Sequence, residues 1–437
     1  TIKRFVASSR VEAEAGAVYD WHLRPGAFER LTPPWERVET VGPEVPVDEG
    51  SRRVLRVPVG PVRLRWVAVH DDIVPGRRFR DRQESGPFAH WRHVHRFEPD
   101  RGGASRLIDE IEYAPPGGAL GAALGGSFLE SDLRRMFRHR HEVTAFDLER
   151  HARYADRPRA TVAVTGASGL VGSALCAFLT TGGHRVRRVV RRVPRDADEI
   201  AWDPAAGTTD PAAWEGVDAV VHLAGENIAG GRWTDTFKRR IHDSRVRGTR
   251  LVAETVASLD RKPSVLVSAS AIGFYGARDD DGPLDESAAP GEGFLPETCL
   301  AWEAATAPAA DAGVRVAIPR IGVVLSGRGG ALPRMLTPFR IGAGGRVGSG
   351  RQMMSWIALD DLVGVIHALL FDAGFAGPVA ASHCVTLGMQ PPQVQAEVAG
   401  LVAEAGIAVF PLPQTNLFLQ GRDHPTPTPR RLTAVHA

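Results

Sequence analysis

Lysine is almost missing from this 437-residue chain: only Lys3, Lys238 and Lys262 occur. Arginine therefore carries nearly all the positive charge, and beside so much alanine, glycine and proline this reads as coding bias, not as a binding surface. The formal net charge is only +2, which gives no electrostatic reason to expect a nucleic-acid partner. Cysteine is equally scarce: Cys176, Cys299 and Cys384 are far apart and odd in number. That excludes a disulfide framework and points to a reducing, cytoplasmic setting. No apolar run is long enough to cross a bilayer, and the first residues enter a polar strand pattern without a leader-like stretch, so no membrane span is expected. With 43% apolar and 24% charged residues the composition is that of a soluble globular protein. The length exceeds one ordinary core, and two or three domains are expected.

What is present is organised around Val162 to Gly172. A short apolar strand (Thr161 to Thr165) runs into a glycine-rich turn and the start of a helix. Gly166, Gly169 and Gly172 have the spacing of a dinucleotide-binding turn, with Ser168 and Leu170 between them. Gly166 allows the sharp exit from the strand, Gly169 lets backbone approach a pyrophosphate, and Gly172 lets helix and sheet pack closely. The helix start offers free N–H groups to phosphate. Glycine triplets arise by chance in a glycine-rich chain, but here an amphipathic helix (Leu170, Leu175, Phe178, Leu179) and a second strand (Arg185 to Val190) follow in order. That second strand ends at Arg191 and Arg192, with no acidic residue to hold a ribose hydroxyl. Arginine there suits a 2′-phosphate and favours NADP over NAD, although a solvated arginine pair would read the same way.

Residues 1–152 read as a separate α+β domain. A first strand (Ile2 to Val11) leads into a helical region from Ala13 to Arg30, then several antiparallel strands, including His90 to Phe97 and Leu107 to Tyr113. After a stretch read as flexible, Pro115 to Gly126, a long helix carries Leu129, Leu133, Met136, Val143 and Phe146 at helical spacing. His93 and His95 stand on one face of their strand, a geometry able to bind metal. The sequence shows no third ligand, so no metal is expected. Arg138, His139, Arg140 and His141 read as a solvated helix face.

This order of elements, with the text Trp21 to Phe28, resembles the START-like helix-grip superfamily, also called polyketide cyclase/dehydrase-like. The resemblance covers about 150 residues and implies an apolar ligand held between sheet and long helix. Beyond a linker near residues 150–159, strand–helix alternation predicts a Rossmann-like, doubly wound parallel sheet over residues 160–380. Asp218 to Gly225 reads as a buried strand, Thr234 to Leu259 as a helix, and Val265 to Ala271 as a strand delivering Ser268 and Ser270 to the ligand edge. These serines read equally as strand-end turn residues or as substrate contacts.

The phrases His222 to Ile228, Arg232-Trp233, Ser244-Arg245, Ser268 to Ser270 with Tyr275-Gly276, Gly344 to Gly350, Trp356-Ile357 and Asp360-Asp361 resemble the extended short-chain dehydrogenases/reductases. Within these they resemble an epimerase-like family of uncertain substrate, in which fusion to a START-like domain also occurs. The resemblance implies that Arg191, Leu223, Ala224, Gly225, Arg245 and Val324 lie at the cofactor. If the protein does redox chemistry on a small-molecule substrate, Ser270 or Ser268 would hold a carbonyl while hydride moves to or from the nicotinamide. Its rival is a catalytically silent NADP(H)-binding protein. The departure is plain. Short-chain dehydrogenases pair a tyrosine acid/base with a lysine four residues on, yet none of the four tyrosines has one. Leu295 and Cys299 fall at the places of that pair. Residues 381–437 resemble a fragment of cytosine-deaminase-like amidohydrolases, with His383 matching a metal ligand, and are not expected to form an independent domain.

Overall fold

The computed structural model describes residues 2–43, 45–59, 62–115, 118–277, 284–345 and 353–386. The first domain runs β1 (Lys3–Val11), α1 (Ala15–Leu23), α2 (Ala27–Leu31), β2 (Glu39–Thr40), β3 (Arg52–Val59), β4 (Val62–Val74), β5 (Arg78–Ser85), β6 (His90–Pro99), β7 (Ser105–Ala114) and α3 (Gly118–Ala152). Its strands form one antiparallel sheet in the order β1-β7-β6-β5-β4-β3-β2. The 35-residue α3 packs against this sheet, with Leu133 and Phe137 in one cluster with Phe5, Trp91, Ile111 and Tyr113. The helix begins inside the stretch read as flexible. Ala119, Leu120, Ala122, Ala123 and Leu124 favour helix strongly enough to carry the interspersed glycines.

The second domain runs β8 (Thr161–Thr165), α4 (Leu170–Thr181), β9 (Arg185–Val190), β10 (Glu199–Asp203), β11 (Thr208–Thr209), β12 (Ala219–His222), α5 (Asp235–Ser258), β13 (Val265–Ser268), β14 (Ser270–Ala271), α6 (Phe294–Ala304), α7 (Ala307–Asp311), β15 (Arg315–Ile321), β16 (Val323–Ser326), β17 (Gly329–Gly330), α8 (Leu332–Arg340), β18 (Met353–Ala358), α9 (Leu359–Phe371), β19 (Gly377–Ala381) and β20 (His383–Thr386). The main sheet is ordered β11-β10-β9-β8-β12-β13-β15, with β14 and β19 also paired to β15. Every pairing in it is parallel except β10 with β11. The chain reverses direction across the sheet between β8 and β12, the crevice where open α/β sheets bind ligands. Apolar strands are buried on both faces: α4 and α9 cover one side, α5 and α7 the other.

A small second sheet joins β17, β16, β18 and β20. Residues 383–386, within the stretch read as an amidohydrolase-like fragment, thus pair antiparallel with β18. The remainder of that stretch, from residue 387, lies outside the described residues.

The two domains meet closely. Gly26, at φ +87°, sits so near α4 that a Cβ there would come within 2.5 Å of the Ala177 carbonyl oxygen. The buried Arg30 on α2 forms a bidentate pair with Asp147 on α3 (2.7 and 2.8 Å) and reaches Asp360 on α9 at 2.6 Å. Among the described residues no helix is long and apolar enough to cross a membrane.

Candidate functional site

The turn after β8 has the shape its glycines require. Gly166 adopts φ +67°, and its own carbonyl accepts the Gly169 N–H at 2.9 Å. A Cβ on Gly166 would stand 3.0 Å from the Ala224 nitrogen, and one on Gly172 would stand 2.2 Å from the Gly166 oxygen. Ser168 and Gly169 are exposed at the tip. The α4 N-terminus has no side-chain cap, so its first N–H groups remain available to an anion.

Below the turn, Thr165 Oγ1 accepts the N–H groups of Leu223 (3.0 Å) and Ala224 (3.2 Å). Its own hydrogen then faces His222 Nδ1 at 2.8 Å. Burial pushes His222 down to about 4, which keeps it neutral and able to accept. Leu170 lies against the β16–β17 hairpin: a Cβ on Gly330 would meet its side chain at 3.0 Å and the Val324 oxygen at 3.5 Å. Arg245 reaches the Glu226 carbonyl at 3.1 Å and lies beside Gly225. These contacts place Gly166, Gly172, Leu223, Ala224, Gly225 and Arg245 about the turn after β8, with Ser168 and Gly169 at its tip and Leu170 towards Val324.

The arginine pair is split. Arg192 is held by Glu199 on β10, at 2.6 and 2.5 Å. Arg191 is exposed and has no described partner, leaving its guanidinium open to a ligand.

The serines are less open than their strand-end position suggests. Ser270 is buried and donates to Glu303 Oε1 at 2.6 Å, and the same carboxylate takes Arg320 in a bidentate pair at 2.9 Å on both arms. Arg320 also donates to Tyr275 Oη at 3.2 Å, and that hydroxyl donates to the Asp285 carbonyl at 2.9 Å. Ser268 is buried with its hydroxyl lacking a hydrogen-bond partner, next to His222 in the ladder. Cys299 is a buried thiol raised to about 11 by desolvation. It is a poor proton donor and a worse base at neutral pH.

A second site lies in the first domain. A cavity of about 1010 Å³ opens between the sheet, α2 and α3, with apolar walls that include Leu55, Trp66, Phe79, Trp91 and Met136. On its floor are Asp81, His93 and His95. Asp81 on β5 is directly opposite His93 on β6, and Asp109 on β7 is opposite His95. His93 Nε2 hydrogen-bonds Asp109 Oδ1 at 2.8 Å, and its Nδ1 stands 3.0 Å from Asp81 Oδ2. Burial opposes the charged imidazole, but the two carboxylates outweigh it and hold His93 at about 9. His141 on α3 reaches the other oxygen of Asp109 at 2.6 Å.

This corrects the reading of residues 138–141 as a solvated face. His141 is buried against Asp109 and Arg140 lines the cavity, while Arg138 is exposed. It also supplies, in Asp81, the third group that the histidine pair lacked in the sequence. That group was reachable only through strand register.

Comparison with known proteins fits this geometry. Residues 162–377 match the family model described as NAD dependent epimerase/dehydratase family, and residues 11–139 match polyketide cyclase/dehydrase and lipid transport. The chain is 46% identical over 220 residues to an epimerase family protein of Mycobacterium bovis, covering 50% of this chain and 72% of that protein. It is 36% identical over 216 residues to a human epimerase family protein, covering 48% of this chain and 70% of that one. The crystal structure of a nucleoside-diphosphate sugar epimerase from Corynebacterium glutamicum is similar across both domains. Its TM-score is 0.76 at 36% identity, over 92% of this chain and 84% of that one.

Proposed function

Because the chain belongs to the NAD-dependent epimerase/dehydratase family, we propose that it is an NADP(H)-binding, epimerase- or reductase-like protein acting on a small-molecule substrate, with an N-terminal domain that holds an apolar ligand. The observation that carries the cofactor choice is Arg191, which stands exposed just beyond β9 where a ribose-binding acid would otherwise be. A 2′-phosphate there would gain charge-assisted hydrogen bonds worth about 1.5–3 kcal/mol, roughly 10- to 100-fold in affinity. Arg191→Ala should weaken NADPH binding by that factor in a fluorescence titration and leave NADH within about twofold. Arg192→Ala should do less, since Glu199 already occupies that guanidinium. Tighter binding of NADH than NADPH by the unaltered protein would refute the assignment.

A second reading is favoured by the state of the acid/base groups. Ser270 is committed to Glu303, Cys299 holds its proton, and the Tyr275 hydroxyl lies between Arg320 and Asp285. Proton transfer to a substrate then falls to water or to the substrate itself, and one buried hydroxyl without a hydrogen-bond partner, that of Ser268, stands beside His222. A protein so equipped would suit NADP(H) binding that regulates the first domain without turnover. NADPH consumption measured against a panel of aldehydes and ketones separates the two. Turnover lost in Ser268→Ala supports chemistry; no turnover with any carbonyl, despite tight NADPH binding, supports regulation.

The cavity predicts its own result. Ala68 is buried on its wall. Ala68→Phe should fill part of the space and reduce binding of a fluorescent fatty-acid probe about tenfold or more, at unchanged NADPH affinity. Equal probe binding by the variant would count against the cavity as the ligand site.

A further inference from the structure

The floor of the first-domain cavity combines two imidazoles and a carboxylate with a second carboxylate behind them. We infer that Asp81, His93 and His95 form a binding site for a first-row divalent transition metal, with an open coordination position turned into the cavity.

The spacing is that of ligands sharing one ion. Ligand atoms about 2.1 Å from a metal stand about 3.0 Å apart at a right angle and about 3.4 Å apart at a tetrahedral one. Asp81 Oδ2 lies 3.0 Å from His93 Nδ1 and 3.4 Å from His95 Nε2. All three ligand atoms fall within 4.8 Å of one another. Two imidazoles and one carboxylate suit zinc or iron(II), and three protein ligands leave positions open for water or ligand.

The groups behind the site have the arrangement that metal-binding histidines need. A ligating imidazole is oriented by giving its other N–H to a carboxylate. His93 Nε2 does this to Asp109 Oδ1 at 2.8 Å. His95 Nδ1 lies 2.7 Å from the same oxygen, without the alignment of a hydrogen bond. His141 on α3 fixes Asp109 from the far side. Asp81 borders the cavity, whereas Asp109 lies behind it and is 3% exposed. The cluster therefore has an inner set facing the cavity and an outer carboxylate facing the protein. A bound ion would take the place of the imidazolium proton between Asp81 and Asp109, which metal binding must release. Arg140, on the same cavity wall, is placed to meet an anionic head group. An ion there would act as a Lewis acid holding the carbonyl or carboxylate end of an otherwise apolar molecule.

The test uses the full chain without a histidine tag, stripped by chelator and titrated with Co²⁺. One equivalent should bind with visible d–d absorption and be displaced by Zn²⁺. Asp81→Asn and His95→Gln should each lower Co²⁺ affinity at least 100-fold. Asp109→Asn should lower it about 10- to 100-fold, the scale of an outer-shell loss. Circular dichroism monitors folding of each variant. Should the variants fail to fold, crystals of the unaltered protein grown with Co²⁺ decide the matter. An anomalous peak among Asp81, His93 and His95 supports the site. No stoichiometric binding, a peak only elsewhere, or full affinity in folded Asp81→Asn would overturn it.

Discussion

Gly172→Ala should abolish dinucleotide binding, with NADPH affinity falling more than about 100-fold and the second domain losing on the order of 5 °C in Tm. The added Cβ would meet the Gly166 oxygen at 2.2 Å, the Gly166 carbonyl carbon at 2.8 Å and Ala167 Cα at 2.9 Å. All three are backbone atoms, so no side chain can rotate away. Relief requires α4 to lift off β8 or the turn to open, and either movement displaces the N–H groups that would face a pyrophosphate. Gly169 offers the graded comparison: its Cβ would meet the Gly166 oxygen at 3.2 Å, a contact that a shift of a few tenths of an ångström relieves. Gly169→Ala should therefore keep the fold and lose about tenfold in affinity. Binding of a hydrophobic probe by the first domain should be unaffected in both. The idea fails if calorimetry finds Gly172→Ala binding NADPH as the unaltered protein does.

The turn was legible because its logic is local. Strand, glycine spacing and helix follow within a dozen residues, and each glycine has a steric role that can be stated before the structure is seen. The cavity was legible only as architecture, through the order of strands and the long helix. Its floor was not, because Asp81, His93, His95, Asp109 and His141 come from three strands and a helix, and register alone brings them together. One signal for it does stand in the sequence. His141 lies four residues beyond Phe137 and eight beyond Leu133, on the same buried stripe of α3. Its polarity suggested solvent, but a buried carboxylate across the domain gives it a partner. Ser270 illustrates the converse limit. It opens the short β14 just beyond β13, where the sequence reads as one continuous strand, and what occupies its hydroxyl is Glu303, on a helix 33 residues away. Nothing in the local text gives that pairing.

Asp147→Ala should be the most damaging change at the meeting of the two domains, lowering stability by about 3–5 kcal/mol in denaturant titration. Arg30 is 5% exposed and Asp147 fully buried, joined by two hydrogen bonds. Without Asp147 the guanidinium keeps, among the described residues, Asp360 as its one ion-pair partner, whose side chain is 44% exposed and shares its field with water. The cost comes from leaving a charge buried, and the pair itself contributes little net stability. Burial raises the Asp147 carboxyl while Arg30 draws it down, so desolvation opposes the attraction at this carboxylate. Replacing both partners by apolar residues, Arg30→Met with Asp147→Leu, should then recover most of the lost stability. It should not recover the tie from α2 to Asp360 on α9, which the single pair cannot replace. Trypsin should consequently cut residues 153–157, between the domains, faster in the double variant than in the unaltered chain. A single variant that loses less than about 1 kcal/mol, or a double variant as unstable as the single, would show that Arg30 finds water or another partner when Asp147 is gone.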